Sequence, residues 1–459
     1  MRGTVLLAEV RVVVLVVRIW PQLCFAWKVV FLKEIAVVWC KSDRYSSSNS
    51  DLILGTAIMA TESRKDSTLE HRSKRHLDDS DDDDSNDSGK PSKREILKRD
   101  MEGEKDQTSR DEDDLTITKD RSAPEGHGST VASFYNNLEN KGLQERKQSR
   151  IFFMRNSNNW IKSYIISHCL ELIRDRQVDD YPIVALDLGC GKGGDLRKWQ
   201  KGNIRHLICA DIAETSVEQC RERYEVTRNK GFSAEFIVAD CTKTRIKNLM
   251  KNPEKKIDLV SCQFAFHYCF ESLQQAETMI RNISENLKRG GYFCATLPNA
   301  YEIMSRLKKS DGQSFGNEVY RIVFPDDRPE TPPLFGDRYN FFLEGVVDCP
   351  EFLVHPGTFE KLANKWGLQL VWKRSFATVY NDALKDSEAQ RLLSVMHALE
   401  VYPTREQATD TDGEYSHAQQ YLNNSSGAPS IRTLSKSEWE AICLYQACVF
   451  RKTSDCKPV

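Results

Sequence analysis

An acid, a cluster of glycines and a second acid about twenty residues further on make a place for a nucleoside. In ALDLGCGKGGDLRKW (Ala185 to Trp199), Asp187 stands two residues before Gly189, and Gly191, Gly193 and Gly194 follow. Glycines there let backbone amides approach a ligand with no side chain in the way. Two spacings overlap. Gly189, Gly191 and Gly194 fit the G-x-G-x-x-G of dinucleotide enzymes, while Gly189, Gly191 and Gly193 fit the G-x-G-x-G of methyl-donor enzymes. Asp211 falls where an acid can hold two ribose hydroxyls, which suits NAD and S-adenosylmethionine alike.

Residues outside the loop favour the methyl donor. Asp187 would repel a pyrophosphate, but it can reach a cationic amino group or order the loop. Asp240, after Ala239, closes a strand-like run and suits an adenine amino group. LKRGGYF (Leu287 to Phe293) reads as the helix-to-strand turn of methyltransferases, and no tyrosine has a lysine four residues on, as a short-chain dehydrogenase would require. Taken alone, Asp240 could cap the segment that follows it, and Gln263 and Tyr268 could be ordinary buried residues. Their joint order and spacing favour a donor site.

These residues sit at the ends of apolar runs that alternate with helical ones. IVALDL (Ile183 to Leu188) precedes a helix beginning near Gly194; HLICAD (His206 to Asp211) precedes a helix through Tyr224; AEFIVAD (Ala234 to Asp240) follows. IDLVSCQF (Ile257 to Phe264) leads to a helix from Ser272 to Leu287, and GYFCATLP (Gly291 to Pro298) to another from Tyr301. Continuous apolar strands between helices predict an α/β fold with a mostly parallel sheet covered on both faces. LQLVWKRSF (Leu368 to Phe376) and ICLYQACVF (Ile442 to Phe450) predict a late antiparallel edge. An aromatic, glycine-rich segment (310–354) and a polar excursion (382–430) are insertions into that plan.

The 459-residue chain has a net charge of −2 that conceals a strong asymmetry. Residues 59–128 are charged and almost without aromatics, with an acidic run at Asp78 to Asp84 flanked by basic clusters, His71 to His76 and Lys90 to Arg99. Such a composition predicts a disordered regulatory tail, and the basic clusters suit nuclear import or nucleic-acid attraction. Residues 1–58 are oddly apolar, but charges interrupt them, so no window approaches the about 18 uncharged residues of a bilayer helix. With Met59 opening an ordinary polar tail, residues 1–58 read as an extension of little functional weight. The 14 cysteines include no C-x-x-C pair, which predicts reduced thiols and no zinc framework.

From Phe134 to Lys452 the chain resembles the cellular messenger RNA cap guanine-N7 methyltransferases, in particular the vertebrate nuclear type. The resemblance is carried by RNSNNWIKSYII (Arg155 to Ile166), LDLGCGKGGDLRKW, ADIAETSVEQCRERY, SCQFAFHY (Ser261 to Tyr268), SFGNEVY, PLFGDRYNFFLEGVVDCPEFLV and LSKSEWEA. It implies a class I S-adenosylmethionine-dependent methyltransferase domain over 129–459, Rossmann-like, with a mostly parallel seven-stranded sheet and an antiparallel edge. It also implies donor contacts from Lys162, Asp187, Gly189, Gly191, Asp211, Asp240, Gln263 and Tyr268. The guanosine cap would meet Asn158, Asn159, Lys192, Lys198, Arg223, His267, Glu344 and Tyr445.

Each residue type suits its task. Lys192, Lys198 and Arg223 match a triphosphate, and Glu344 can accept from guanine N1 and N2. Guanine N7 loses no proton on methylation, so His267 is expected to orient the base and no general base is expected. The resemblance further implies capped nascent RNA as substrate, a nuclear location, a small activating subunit on the 382–430 lobe, and import or transcription partners for the tail. No metal and no membrane are expected. The competing readings are a methyltransferase for another RNA or a small molecule, and a catalytically degenerate cap-binding scaffold.

Overall fold

Every residue of IDLVSCQ (Ile257–Gln263) is buried, as a strand covered on both faces must be. It lies inside an eight-stranded sheet in a computed structural model that describes residues 115–120, 126–138, 142–177, 180–403, 413–425 and 429–454. The apolar stretch before Met59, that methionine, and both basic clusters with the acidic run lie outside the described residues. No helix among the described residues is long and apolar enough to cross a membrane.

The first half runs β1 (Ile117–Lys119), α1 (His127–Asn137), α2 (Leu143–Lys147), α3 (Phe152–Arg174), β2 (Val184–Leu188), α4 (Leu196–Lys201), β3 (His206–Asp211), α5 (Glu214–Val226), β4 (Ser233–Val238), β5 (Ile257–Gln263), α6 (Leu273–Ser284) and β6 (Leu287–Pro298). There follow α7 (Ala300–Leu307), β7 (Ser314–Gly316), β8 (Tyr320–Val323), β9 (Arg338–Leu343), β10 (Val347–Phe352), α8 (Pro356–Lys365) and β11 (Leu368–Ser375). The chain then forms α9 (Phe376–Ala383), α10 (Ser387–Val395), β12 (Glu400–Tyr402), α11 (Ser416–Asn424), β13 (Ile431–Thr433), α12 (Lys436–Ile442) and β14 (Tyr445–Lys452).

The main sheet has the order β1-β4-β3-β2-β5-β6-β14-β11. Pairings are parallel from β1 to β6 and antiparallel at β6–β14 and β14–β11. The strand order reverses between β2 and β5, so a crevice opens past their carboxyl ends, which is where open sheets of this kind take ligands. The fold class is therefore the expected one. The sheet carries an eighth strand, because Ile117–Lys119, in the stretch read as tail, pairs parallel with Phe236–Val238.

Two other boundaries differ for identifiable reasons. LKRGGYF is not a helix-to-strand turn: β6 starts at Leu287, and its pairing with β5 slips between Ile257 and Leu259. Gly290 sits at φ +85°, and a Cβ on Gly291 would stand 2.8 Å from the Asp258 carbonyl, so the glycines form an extended bulge. The last strand starts at Tyr445 rather than Ile442. Ser435 and Glu438 form a capping box that carries α12 through Ile442.

The two insertions are separate structures. Residues within 310–354 make a four-stranded antiparallel sheet in the order β10-β9-β8-β7, and β12 and β13 pair within the 382–430 lobe and just beyond it. The lobe is tied to α3, where Trp160 Nε1 donates to the Ala389 carbonyl (2.7 Å) and Asn156 Nδ2 to the His397 carbonyl (3.2 Å).

One buried side chain fixes the segment after β4. Asn282 of α6 accepts from the Ile246 amide (2.9 Å) and donates to the carbonyls of Cys241 and Thr244 (2.8 Å each). Asn282→Ala strands one amide and two carbonyls in the interior. The urea midpoint should fall, with a loss of about 2–3 kcal/mol in unfolding free energy.

Candidate active site

The glycine loop follows β2 in left-handed geometry, with Gly189, Gly191 and Gly193 at φ +73°, +51° and +75°. A Cβ on Gly189 would lie 2.6 Å from the Ala265 side chain, so the loop touches the end of β5 only because that position is bare. Asp211, at the end of β3, accepts from the Gly191 amide through Oδ2 (2.8 Å) and from the Ala213 amide through Oδ1 (2.9 Å). Burial raises the pKa of Asp211 and these amides act against it.

A cavity of about 240 Å³ opens at this crevice, lined by Gly189, Gly191, Asp211, Asp240, Gln263 and Tyr268 among others. Six of the eight expected donor residues thus share one chamber. Asp240 Oδ1 accepts from the Thr242 amide and hydroxyl (2.9 and 2.6 Å). Its other oxygen is buried without a hydrogen bond, and Lys243 Nζ stands 3.8 Å away. An acceptor left open beside apolar Ile212, Cys241 and Met279 suits the amino group of an adenine ring. Gln263 is occupied within the sheet: Nε2 donates to Ser261 Oγ (3.0 Å), and Oε1 accepts from Thr296 Oγ1 (3.1 Å).

One wall of the cavity was not foreseen. His127, Gly128, Val131 and Tyr135 of α1 close over it. A Cβ on Gly128 would stand 3.0 Å from Asp240 Oδ2, so this glycine lets the helix approach that oxygen. Polar contacts clasp the helix down: His127 Nδ1 to Glu271 Oε1 (2.8 Å), the Thr215 amide to Asn136 Oδ1 (3.0 Å), and Lys192 Nζ to the Leu138 carbonyl (2.9 Å). The only sequence signal was a glycine at the start of an otherwise helical run, HGSTVASFYNN.

Phe264 lines this chamber and packs against a buried aromatic cluster. It has φ +58°, uncommon for a bulky residue, and its amide donates to Thr296 Oγ1 (3.0 Å). Its ring meets the edge of Tyr445 (centroids 5.0 Å apart), and Tyr445 in turn neighbours Phe341 (6.4 Å) and Phe376 (5.7 Å). Glu344 follows β9 in the turn to β10, and its carboxylate has no hydrogen bond or ion pair among the described residues. His267 is buried, its Nε2 3.2 Å from Glu351 Oε1, while Glu351 Oε2 accepts from Tyr339 (2.8 Å). Glu351 and Tyr339 are register partners on β10 and β9 that sequence spacing did not single out.

A model of the mRNA (guanine-N(7))-methyltransferase domain matches residues 118–453. The chain belongs to this methyltransferase family. A protein named mRNA cap guanine-N(7) methyltransferase from Drosophila melanogaster is 48% identical over 336 residues, covering 70% of this chain and 76% of the relative. Proteins of the same name from Caenorhabditis elegans and Schizosaccharomyces pombe are 39% and 38% identical, covering 71% and 56% of this chain and 87% and 71% of the relatives. A solved S-adenosylmethionine-dependent methyltransferase from Clostridium acetobutylicum, 14% identical, covers 71% of this chain and 98% of its own at a TM-score of 0.36. S-adenosylmethionine is the methyl donor of the family member described here, and the bare glycine loop, the amide-held Asp211 and the open Asp240 oxygen all fit it.

In this methyltransferase Lys162 and Asp187 do not line the donor cavity. Lys162 Nζ and Lys198 Nζ both lie 2.8 Å from Asp195 Oδ1, and Lys198 also reaches Asn159 Oδ1 (3.5 Å). Asn158 Oδ1 is buried without a partner. Burial, and then the Arg223 charge, lower the pKa of Lys192. Asp187 accepts from Trp199 Nε1 (3.3 Å).

Asp187 and Asp195 are driven apart in acidity. Burial, then the Asp195 charge, pushes Asp187 well above the usual carboxylate range. Burial would raise Asp195 as well, but Lys162 and Lys198 hold it far below that range. The depressed group contributes stability at pH 7 that is lost as pH falls through and below the ordinary carboxylate range; the raised group costs stability progressively as pH climbs from the ordinary carboxylate range toward its own titration, because the unfolded chain ionises first. Asp187→Asn should therefore be at least as stable as the parent at pH 7, whereas Asp195→Asn, which leaves the Lys162 and Lys198 ammonium groups without their counter-charge, should cost about 3–5 kcal/mol in urea unfolding.

Proposed function

We propose that this enzyme transfers the methyl group of S-adenosylmethionine to N7 of the guanosine cap of RNA, leaving the 7-methylguanosine cap and S-adenosylhomocysteine. The observation that carries this reading is the placement of Phe264, which lines a nucleoside cavity ending in an open carboxylate oxygen and packs against Tyr445, itself a neighbour of Phe341 on the inserted sheet.

The donor, when bound, supplies an activated sulfonium methyl. In this reading the protein's work is alignment. Gly189 and Gly191 let the backbone approach the donor with no side chain in the way, Asp211 and Asp240 fix its ribose and adenine, and Tyr268 borders the reacting end. Guanine N7 carries a free lone pair and loses no proton, so no side chain acts as a base. Holding two reactants at attack distance can remove as much as about 7–11 kcal/mol of barrier.

On the acceptor side, Tyr445 stacks or edges against guanine and Glu344 accepts from N1 and N2. His267, braced by Glu351, orients the base. Asn158, Asn159, Lys192, Lys198 and Arg223 form the phosphate and ribose side. Asp187 and Lys162 serve the donor from behind the loop, Lys162 through Asp195. Support for the Glu344 role is its partner-free carboxylate beside an aromatic strand, the chemistry that tells guanine from adenine.

The wider setting belongs to the same proposal. Residues 129–459, joined by β1 and the start of α1 from the stretch read as tail, act as the catalytic domain, the charged residues from 59 up to β1 as a regulatory tail and 1–58 as an extension of little weight. The basic clusters suit nuclear import and contact with the transcription machinery, and the 382–430 lobe suits a small activating subunit. Nascent capped RNA is the substrate.

Two variants separate the sites. Asp211→Ala should weaken S-adenosylmethionine binding by about ten- to a hundredfold, the worth of a charge-assisted hydrogen bond. Glu344→Ala should leave donor affinity intact by calorimetry yet erode preference for guanosine-capped over adenosine-capped RNA by one to two powers of ten, with product position identified. Equal loss of donor affinity in Glu344→Ala would overturn the assignment.

A further inference from the structure

The mechanism uses none of the thiols behind the donor loop. Cys190, Cys209 and Cys220 are buried there with their three sulfurs within 4.8 Å of one another, and no comparable group of metal-ligating side chains occurs among the described residues. They come from three elements: the glycine loop, β3 and α5. All are free thiols, and none lines the donor cavity.

Three thiolates around one ion at the usual zinc–sulfur distance of about 2.3 Å form a triangle with edges of about 4.0 Å. The sulfurs here already stand within about 1 Å of that arrangement. A set of three sulfurs with no imidazole or carboxylate selects thiophilic ions over magnesium or calcium. In a buried triad an ion also supplies the positive charge that isolated thiolates would lack.

The triad also supports the donor loop. A Cβ on Gly193 would come within 2.8 Å of Cys220 Sγ, so the loop packs directly on that sulfur. Cys190 lies between Gly189, which has no room for a side chain, and Gly191, whose amide holds Asp211. Drawing the Cys190 sulfur onto an ion moves the peptide that carries both glycines.

We propose that Cys190, Cys209 and Cys220 form a binding site for one thiophilic metal ion, and that its occupation opposes donor binding. The metal is an inhibitor and takes no part in methyl transfer. Three sulfur–metal bonds form as three S–H protons pass to water, with no change in oxidation state. By linkage, the factor by which the ion weakens the donor equals the factor by which the donor weakens the ion.

Cadmium(II) is the probe. The reduced full-length chain, titrated with cadmium in thiol-free buffer, should develop a sulfur-to-metal charge-transfer band that saturates at one equivalent attributable to the triad. Cys209→Ala and Cys220→Ser should each remove that equivalent, and Cys169→Ala, a buried thiol outside the triad, should keep it. S-adenosylmethionine should bind the loaded chain at least about tenfold more weakly by calorimetry, a difference of 1.4 kcal/mol. Persistence of the band in both triad variants overturns the site, and unchanged donor affinity in the loaded chain overturns the antagonism. Should either variant unfold, X-ray absorption at the cadmium edge on the unaltered chain decides: three sulfur neighbours are expected, and two or fewer overturn the proposal. Metal uptake is read without RNA, so its failure is distinct from failure of the cap-methylation reading.

Discussion

Both oxygens of the Asp211 carboxylate are held by backbone amides, one from the loop after β2 and one from its own loop after β3. A buried carboxylate needs such donors, and a loop of glycines needs an acceptor to choose one of its many conformations. Each defect corrects the other. The Gly189 and Cys190 amides add bonds to the Ala210 carbonyl (2.8 and 3.2 Å), so the loop is fastened to the end of β3 over several residues.

The same economy recurs on the other side of Phe264. The inserted four-stranded sheet carries Glu344 at a hairpin end and Glu351 in the paired strand, so one small unit reaches both the open carboxylate position and the back of His267. Phe264 holds a left-handed backbone conformation at the boundary, stabilised by the Thr296 hydroxyl of the neighbouring strand. Strain of this sort persists where surrounding structure over-determines it, and here the ring it aims lines the donor cavity and packs against Tyr445.

What could be read from the residues follows from how far each signal travels along the chain. β2, β3, β4 and β5 were legible because burial on both faces leaves continuous apolar runs, and Gly189, Gly191, Asp211 and Asp240 were legible because they lie at or just after the ends of those runs. Glu351 and Tyr339 were not, since their meeting depends on antiparallel register across a hairpin. The β6 bulge was misread because two glycines look alike in a turn and in a bulge. Trp160 stands in the distinctive NNWIK stretch, yet its indole binds the lobe through Ala389; the stretch serves architecture as well as ligands. The short β1 strand escaped notice because three residues of a polar segment carry no periodicity.

The helix that closes the donor cavity is contributed by chain lying well before the first strand of the switch point, and it is joined to the rest through side-chain and carbonyl contacts. The smallest piece able to enclose a donor is therefore set by Gly128 and its neighbours. A fragment trimmed to β2 and everything after it would keep every strand of the main sheet except β1 but lose this wall of the donor cavity.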